Sequence, residues 1–127
     1  MEIHQSAEDY LETILILKER TGQVRSIDIA TELNYSKPSI SVAMKKLREN
    51  GYIEVDKEGS ITLTASGYEI ASNIYDRHKL LTNFFIALGV NEKTAAQDAC
   101  KVEHDLSEET FARIREHALK TNRQKLE

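Results

Sequence analysis

The stretch "SIDIATELNYSKPSISVAMKKLRENGYIEVDKEGSITLT", residues 26–64, changes hydrophobic period once, just after Gly51, and that change decides the fold. Residues 26–34 read as a short helix, with Ser26 as its cap and Ile27, Ile29, Ala30 and Leu33 on its apolar side. The link "NYS" is too short to do more than turn the chain. Residues 36–50 form a second helix: Ser36 caps it, the chain's only proline (Pro38) sits in its first turn, and Gly51 stops it. The segment "YIEVDKEGSITLT" then alternates apolar and polar residues on both sides of Lys57-Glu58-Gly59, the pattern of a β-hairpin. Two short helices joined by a tight turn and followed by a hairpin are the order of a winged helix-turn-helix.

The flanks are helical. Residues 6–20 predict a helix capped by Ser6, with acids in its first turn. Residues 65–88 predict a long helix ending at Gly89. A further helix spans 91–105 with Asn91 as cap, and another spans 108–121 with Ser107 as cap and Glu108 and Glu109 in its first turn. "TNRQKLE" reads as a frayed tail. The expected fold class is mainly α: a winged helix-turn-helix DNA-binding lobe, residues 1–64, followed by an all-helical metal-binding and dimerisation lobe, residues 65–127.

The chain has 127 residues, 40% hydrophobic and 30% charged, enough for one domain or two small lobes. Its net charge of −4 argues weakly against nucleic acid, but charge distribution outweighs the total. Between Lys37 and Arg48 lie Lys37, Lys45, Lys46 and Arg48 and no acid. The opening has no basic and apolar leader, and no apolar run approaches the roughly 18–20 residues of a membrane span. A single cysteine cannot form an intrachain disulfide and suits a reducing compartment. A cytoplasmic protein with no membrane partner is therefore expected. There is no Gly-rich phosphate loop and no Ser/His/Asp arrangement with defensible spacing, so an enzyme is not expected.

Helical projection exposes polar groups on apolar faces. On the predicted helix 91–105, extended by one residue, Ala95, Ala96, Ala99, Cys100, Val102 and Leu106 form one arc. Glu103 falls in its middle and His104 on its border. In residues 65–88, His78 lies within a stripe of Ile74, Leu81 and Phe85. In residues 6–20, Asp9 and Glu12 sit three apart, away from Leu11, Ile14 and Leu15. A buried carboxylate without a counter-charge costs several kcal/mol, and no Lys or Arg shares these faces. Each residue alone has a bland reading, as a hydrogen-bonded core histidine, a small hydrophobic cysteine or a helix-dipole acid. Occurring together on three helices, they point to a shared metal site. Carboxylates and imidazoles with one possible thiolate suit six-coordinate Mn(II) or Fe(II) better than a closed tetrahedral zinc site. Asp9, Glu12, Glu103 and a Cys100 thiolate sum to four negative charges. One divalent ion leaves half of that uncompensated, so one or two ions per subunit are expected.

With "EDYLETI", "YSKPSISVAMKKLRENGYI", "LTASG", "RHKLLTNFF" and "ACKVEHDLS" in place, the chain resembles the diphtheria toxin repressor family of metal-activated regulators, and most the manganese transport regulator branch. The resemblance covers nearly the whole chain. It implies a homodimer that represses transcription by binding a palindromic operator, with Mn(II) or Fe(II) as corepressor. Carried across, the ligands fall on Asp9, Glu12, His78, Cys100, Glu103 and His104. The set is a hybrid: cysteine at 100 is the iron branch's residue, where the manganese branch has glutamate. Aspartate at 9 is the manganese branch's residue, where the iron branch has methionine. Long members carry a C-terminal SH3-like domain, for which this chain is too short.

The expected mechanism is a joint between lobes, in which metal replaces repulsion among acids and sets the spacing of the two recognition helices. Ser36, Lys37, Pro38, Ser39 and Val42 are expected near base edges or the adjoining sugars. Arg25, Lys45, Lys46 and Lys57 are expected on phosphates, which position without specifying. Two alternatives compete. One is a winged-helix regulator sensing a small organic ligand. The other is a metal-dependent hydrolase using Glu103 as base, disfavoured because helical donors build no substrate cleft.

Overall fold

A computed structural model describes residues 5–126, with side chains for residues 6–120. Among these residues the order is α1 (Gln5–Thr21), α2 (Ser26–Leu33), α3 (Lys37–Glu49), β1 (Ile53–Val55), β2 (Ile61–Leu63), α4 (Ala65–Ala87), α5 (Glu92–Val102) and α6 (Glu108–Leu126). The chain divides into two units between Asn73 and Ile74, so α4 contributes to both.

In the first unit the capping signals of α3 hold. Ser36 is extended, at φ −70° and ψ 151°, and its Oγ accepts the Ser39 N–H at 3.3 Å. Ile40, Met44 and Leu47 are buried at spacings of four and three, which makes one inward stripe. Gly51 takes φ 79°, and the Tyr52 N–H returns to the Leu47 carbonyl at 3.0 Å, a left-handed helix stop that favours glycine. At α2 the cap is Arg25, not Ser26. The Asp28 carboxylate accepts the Arg25 N–H at 2.9 Å, the reach-back bond of an N3 acid, and Ser26 is the first residue inside the helix. Ser6 likewise lies inside α1.

The hairpin pairs antiparallel, with Ile53 opposite Leu63 and Val55 opposite Ile61. Its turn is held by Asp56, whose Oδ1 accepts the N–H groups of Glu58 and Ser60, both at 2.9 Å. The Ile61 N–H donates to the Val24 carbonyl at 2.7 Å, tying the wing to the segment before α2. Inside, Leu11 and Ile14 of α1 are buried with Ile29, Ile40, Ile53 and Ile61. α1 packs on α2 and β2, and α3 packs on α2 and β1. The "LTASG" stretch closes this unit. Thr64 Oγ1 donates to the Gly51 carbonyl at 2.7 Å and accepts the Gly67 N–H at 3.2 Å. This draws the first turn of α4 against Tyr52, where a Cβ on Gly67 would stand 2.0 Å from the Tyr52 carbonyl oxygen.

The second unit is built from the rest of α4 with α5 and α6, around Leu81, Ala99 and Phe111. Phe85, Val102, Leu106 and Ile114 pack against that centre. Asn91 caps α5 by accepting the Lys93 N–H at 2.9 Å, and Ser107 caps the next helix by accepting the Thr110 N–H at 3.1 Å. Two expected boundaries move. α5 ends at Val102, not 105, leaving Glu103 to Asp105 in turns. α6 continues to Leu126 instead of fraying from Thr121, because "TNRQKL" contains no Gly or Pro to stop it. No helix among the described residues is long and apolar enough to cross a membrane.

Candidate metal centre and nucleic-acid interface

α5 buries a narrow stripe, Ala95 and Ala99, and the next residue on that side after Val102 is Glu103. Its side chain is 0% exposed. Imidazoles stand at both carboxylate oxygens. His78 of α4 donates from Nδ1 to Oε2 at 2.9 Å, and His104 Nε2, with its side chain only 2% exposed, lies 3.5 Å from Oε1. Oε1 is buried with no hydrogen-bond partner among the described residues. Adjacent donor atoms on an octahedral divalent ion, each about 2.1 Å from it, stand about 3 Å apart. The His78–Glu103 separation of 2.9 Å is of that size, and the His104–Glu103 separation of 3.5 Å is about half an ångström longer. A carboxylate fully withdrawn from water, with an imidazole nitrogen near each oxygen and one oxygen lacking a hydrogen bond, is an arrangement a divalent cation fits.

The C-terminal end of α5 has a further holder that sequence reasoning missed. Arg77 Nη1 donates to the main-chain carbonyls of Glu103 at 3.1 Å and Leu106 at 3.0 Å. Its guanidinium carbon lies 4.9 Å from the centre of the Phe111 ring. The only sequence signal was its place beside His78 in "RHKLL".

The remaining candidate ligands sit as follows. Asp9 is half-buried and Glu12 buried on α1, in the first unit. Cys100 is exposed on α5, contrary to its expected place on the apolar arc. The buried stripe is narrower than the arc assumed, and Cys100 lies about 100° around the helix from Ala99. Beside Asp9, the Tyr10 phenol is raised above its ordinary 10.0, first by burial and then by Tyr35 and the Asp9 carboxylate. The Tyr10 and Tyr35 rings meet edge to face, 6.2 Å apart.

The candidate DNA contacts all lie on exposed surface of the first unit. Lys37, Pro38, Ser39, Val42, Lys45 and Lys46 are exposed on α3, with Ser36 exposed at its cap. Val42 is 56% exposed, an apolar side chain left in water on a helix whose opposite face is already packed. Arg25 is exposed before α2, and Lys57 in the hairpin turn.

Comparison with known proteins gives two family matches that meet just after the hairpin, about ten residues before the break between the two units. Residues 2–61 match the iron dependent repressor N-terminal DNA binding domain, and residues 64–123 match the iron dependent repressor metal binding and dimerisation domain. An uncharacterised helix-turn-helix transcriptional regulator of Methanocaldococcus jannaschii is 41% identical over 113 residues, covering 87% of this chain and 90% of its own. The transcriptional regulator MntR of Escherichia coli O157:H7 is 36% identical over 108 residues, covering 85% and 70%. Among solved structures, a manganese-dependent transcriptional repressor in complex with manganese superposes with a TM-score of 0.80 at 31% identity, over 88% of this chain and 52% of that one. The IdeR protein of T. acidophilum shares the fold, with a TM-score of 0.77 at 24% identity, over 92% and 55%. The chain thus spans about half the length of these solved structures.

Proposed function

We propose, from the premise that this chain belongs to the iron dependent repressor family, that it is a metal-activated transcriptional repressor. It binds a palindromic operator in double-stranded DNA as a homodimer and controls metal-ion homeostasis genes in the cytoplasm. The reading is of a regulator, not an enzyme. The observation that carries it is Glu103, a fully buried carboxylate with an imidazole at each oxygen.

The proposed ligands are Asp9, Glu12, His78, Cys100, Glu103 and His104, and the proposed ion is Mn(II) or Fe(II), one or two per subunit. The bound ion supplies the positive charge that a set rich in acids lacks. His78 and His104 offer nitrogen donors and Glu103 two oxygens from within one unit. Asp9 and Glu12, three residues apart, offer oxygens from α1. Cys100 lies one helical turn before Glu103, and its thiolate is the softest donor in the set.

On the DNA side, Ser36, Lys37, Pro38, Ser39 and Val42 are proposed to face base edges and sugars, with the exposed Val42 suited to a thymine methyl. Arg25, Lys45, Lys46 and Lys57 are proposed to meet phosphates. For the second copy, the second unit offers an apolar groove of about 280 Å³ lined by Leu80, Phe84, Leu88 and Leu119, of which Leu88 and Leu119 are exposed.

The test is operator binding titrated with Mn(II), Fe(II), Co(II) and Zn(II), with metal counted per subunit and mass followed by sedimentation. The expected result is DNA binding by a dimer only when metal is present. Metal-independent binding, or a monomer at micromolar concentration under all conditions, overturns the reading. The thiol is tested separately. The Co(II) form should show a thiolate-to-metal charge-transfer band that Cys100→Ser abolishes, and absence of that band in the wild type removes Cys100 from the ligand set.

A further inference from the structure

We propose that Arg77 is the positioning residue of the centre, fixing the main chain that carries Glu103 and His104. The proposal rests on the metal reading above. Where α5 stops, the last carbonyls of a helix lose their intrahelical partners. Two carbonyls in this stretch, those of Glu103 and Leu106, converge on the single Nη1 of Arg77 at 3.1 and 3.0 Å. A cation is the favoured donor at a helix C-terminus, because it meets both the acceptors and the negative end of the dipole. Arg77 itself is held in place, its guanidinium carbon 4.9 Å from the centre of the buried Phe111 ring. Arg115 lies 5.0 Å from the centre of the same ring.

The next residue on α4 completes the grip. His78 takes the Glu103 side chain at 2.9 Å, while Arg77 takes the Glu103 main chain. Successive helical residues point about 100° apart, so two neighbours on one helix hold a single residue from two directions. The carboxylate is then fixed at both ends, and the turn from 103 to 106, which includes His104, is fixed with it. Ligand atoms need placement within about 0.5 Å to bind well, and that precision comes from the groups behind them. Without Arg77, the side-chain bond from His78 has to orient Glu103 on a main chain whose two carbonyls have lost their donor. Arginine suits the post better than lysine, since its planar head donates at the edge while lying against an aromatic ring.

The experiment measures Mn(II) affinity from the paramagnetic resonance of the free aquo ion, and the visible spectrum of the Co(II) form, for wild type and Arg77→Met. Urea unfolding without metal verifies that the variant is folded. The expected result is Mn(II) affinity about 10–100-fold weaker, with shifted Co(II) bands, and partial recovery in Arg77→Lys, which restores a cationic donor without the planar head. A merely structural arginine would leave the spectrum of the bound form unchanged. Affinity within twofold of wild type with a superimposable Co(II) spectrum overturns the proposal. Should Arg77→Met fail to fold, Phe111→Leu, which removes the ring but keeps the donor, is read by the same Co(II) criterion. Glu103→Gln run in parallel separates the two readings. A wild type that binds no Mn(II) ends both, whereas loss in Glu103→Gln with no change in Arg77→Met ends only the positioning role.

Discussion

Glu103→Gln is expected to abolish metal-dependent operator binding while leaving the metal-free protein as stable as before, or more so. The substitution keeps the shape of a side chain that is 0% exposed and removes its charge. Outer-sphere partners of a metal are worth roughly 10–100-fold in affinity, so loss of a charged ligand should exceed that range. Breaking a buried ion pair is usually costly because it strands the surviving charge. Here the partners left behind are the imidazoles of His78 and His104, not a permanently charged lysine or arginine. The desolvation cost of the carboxylate disappears with it, so stability in urea should stay level or rise by up to about 2 kcal/mol. Calorimetric titration with Mn(II) and urea unfolding of the metal-free chain measure the two halves. Wild-type Mn(II) binding in Glu103→Gln would falsify the metal reading. A loss of 3 kcal/mol or so without metal would instead make Glu103 a structural ion-pair residue.

Gly67→Ala is expected to produce the largest loss of stability from adding a single methyl group. Alanine ordinarily gains about 1 kcal/mol over glycine in a helix. At position 67 that gain is overwhelmed, since the new Cβ would stand 2.0 Å from the Tyr52 carbonyl oxygen and 3.0 Å from its carbon. Both atoms are backbone, so no rotamer relieves the clash. The first turn of α4 must back away, and the Thr64 bonds to Gly51 and Gly67 stretch with it. Overpacking of this kind costs about 1–3 kcal/mol and sometimes more, and a net loss near 3 kcal/mol is expected by urea unfolding. A change below about 0.5 kcal/mol would show that this contact is loose.

The winged helix-turn-helix was legible because its signals are local. Ser36, Pro38 and Gly51 lie within or beside the helix they delimit, and the hairpin turn sits where the alternation breaks. The cap of α2 was misassigned because the bond that marks it comes from the Asp28 carboxylate to the Arg25 N–H, and Ser26 drew the boundary one residue late. The end of α5 was misplaced for a different reason. No Gly or Pro marks it, and the donor to the carbonyl of its C-cap, Glu103, is Arg77, 26 residues earlier. Such a partner is invisible to any window along the chain. Periodicity located the burial of Glu103 and its place near His78, since both follow from helical faces. It misjudged Cys100 because an arc on a wheel does not state how wide a stripe the neighbouring helices cover.

The first turn of α3 bears on how a phosphate could be received there. Open helix N-termini capture anions with several converging amides. In this one, residue 38 is a proline and has no N–H to give, Ser39 N–H is taken by Ser36 Oγ, and Ile40 N–H is taken by the Ser36 carbonyl. Even the Ser36 hydroxyl hydrogen is engaged, donating to Ser39 Oγ at 2.8 Å. Of that turn's amides, only the one on Lys37 is left uncommitted by these bonds. The end of the helix is thus electrically favourable to an anion but nearly closed as a chelate. A phosphate arriving there would find few main-chain amides to hold it, which leaves phosphate contact to the side chains of Arg25, Lys45, Lys46 and Lys57 and frees this end for bases and sugars. An anion at this end therefore meets one free amide in place of the converging ring that an open helix start presents.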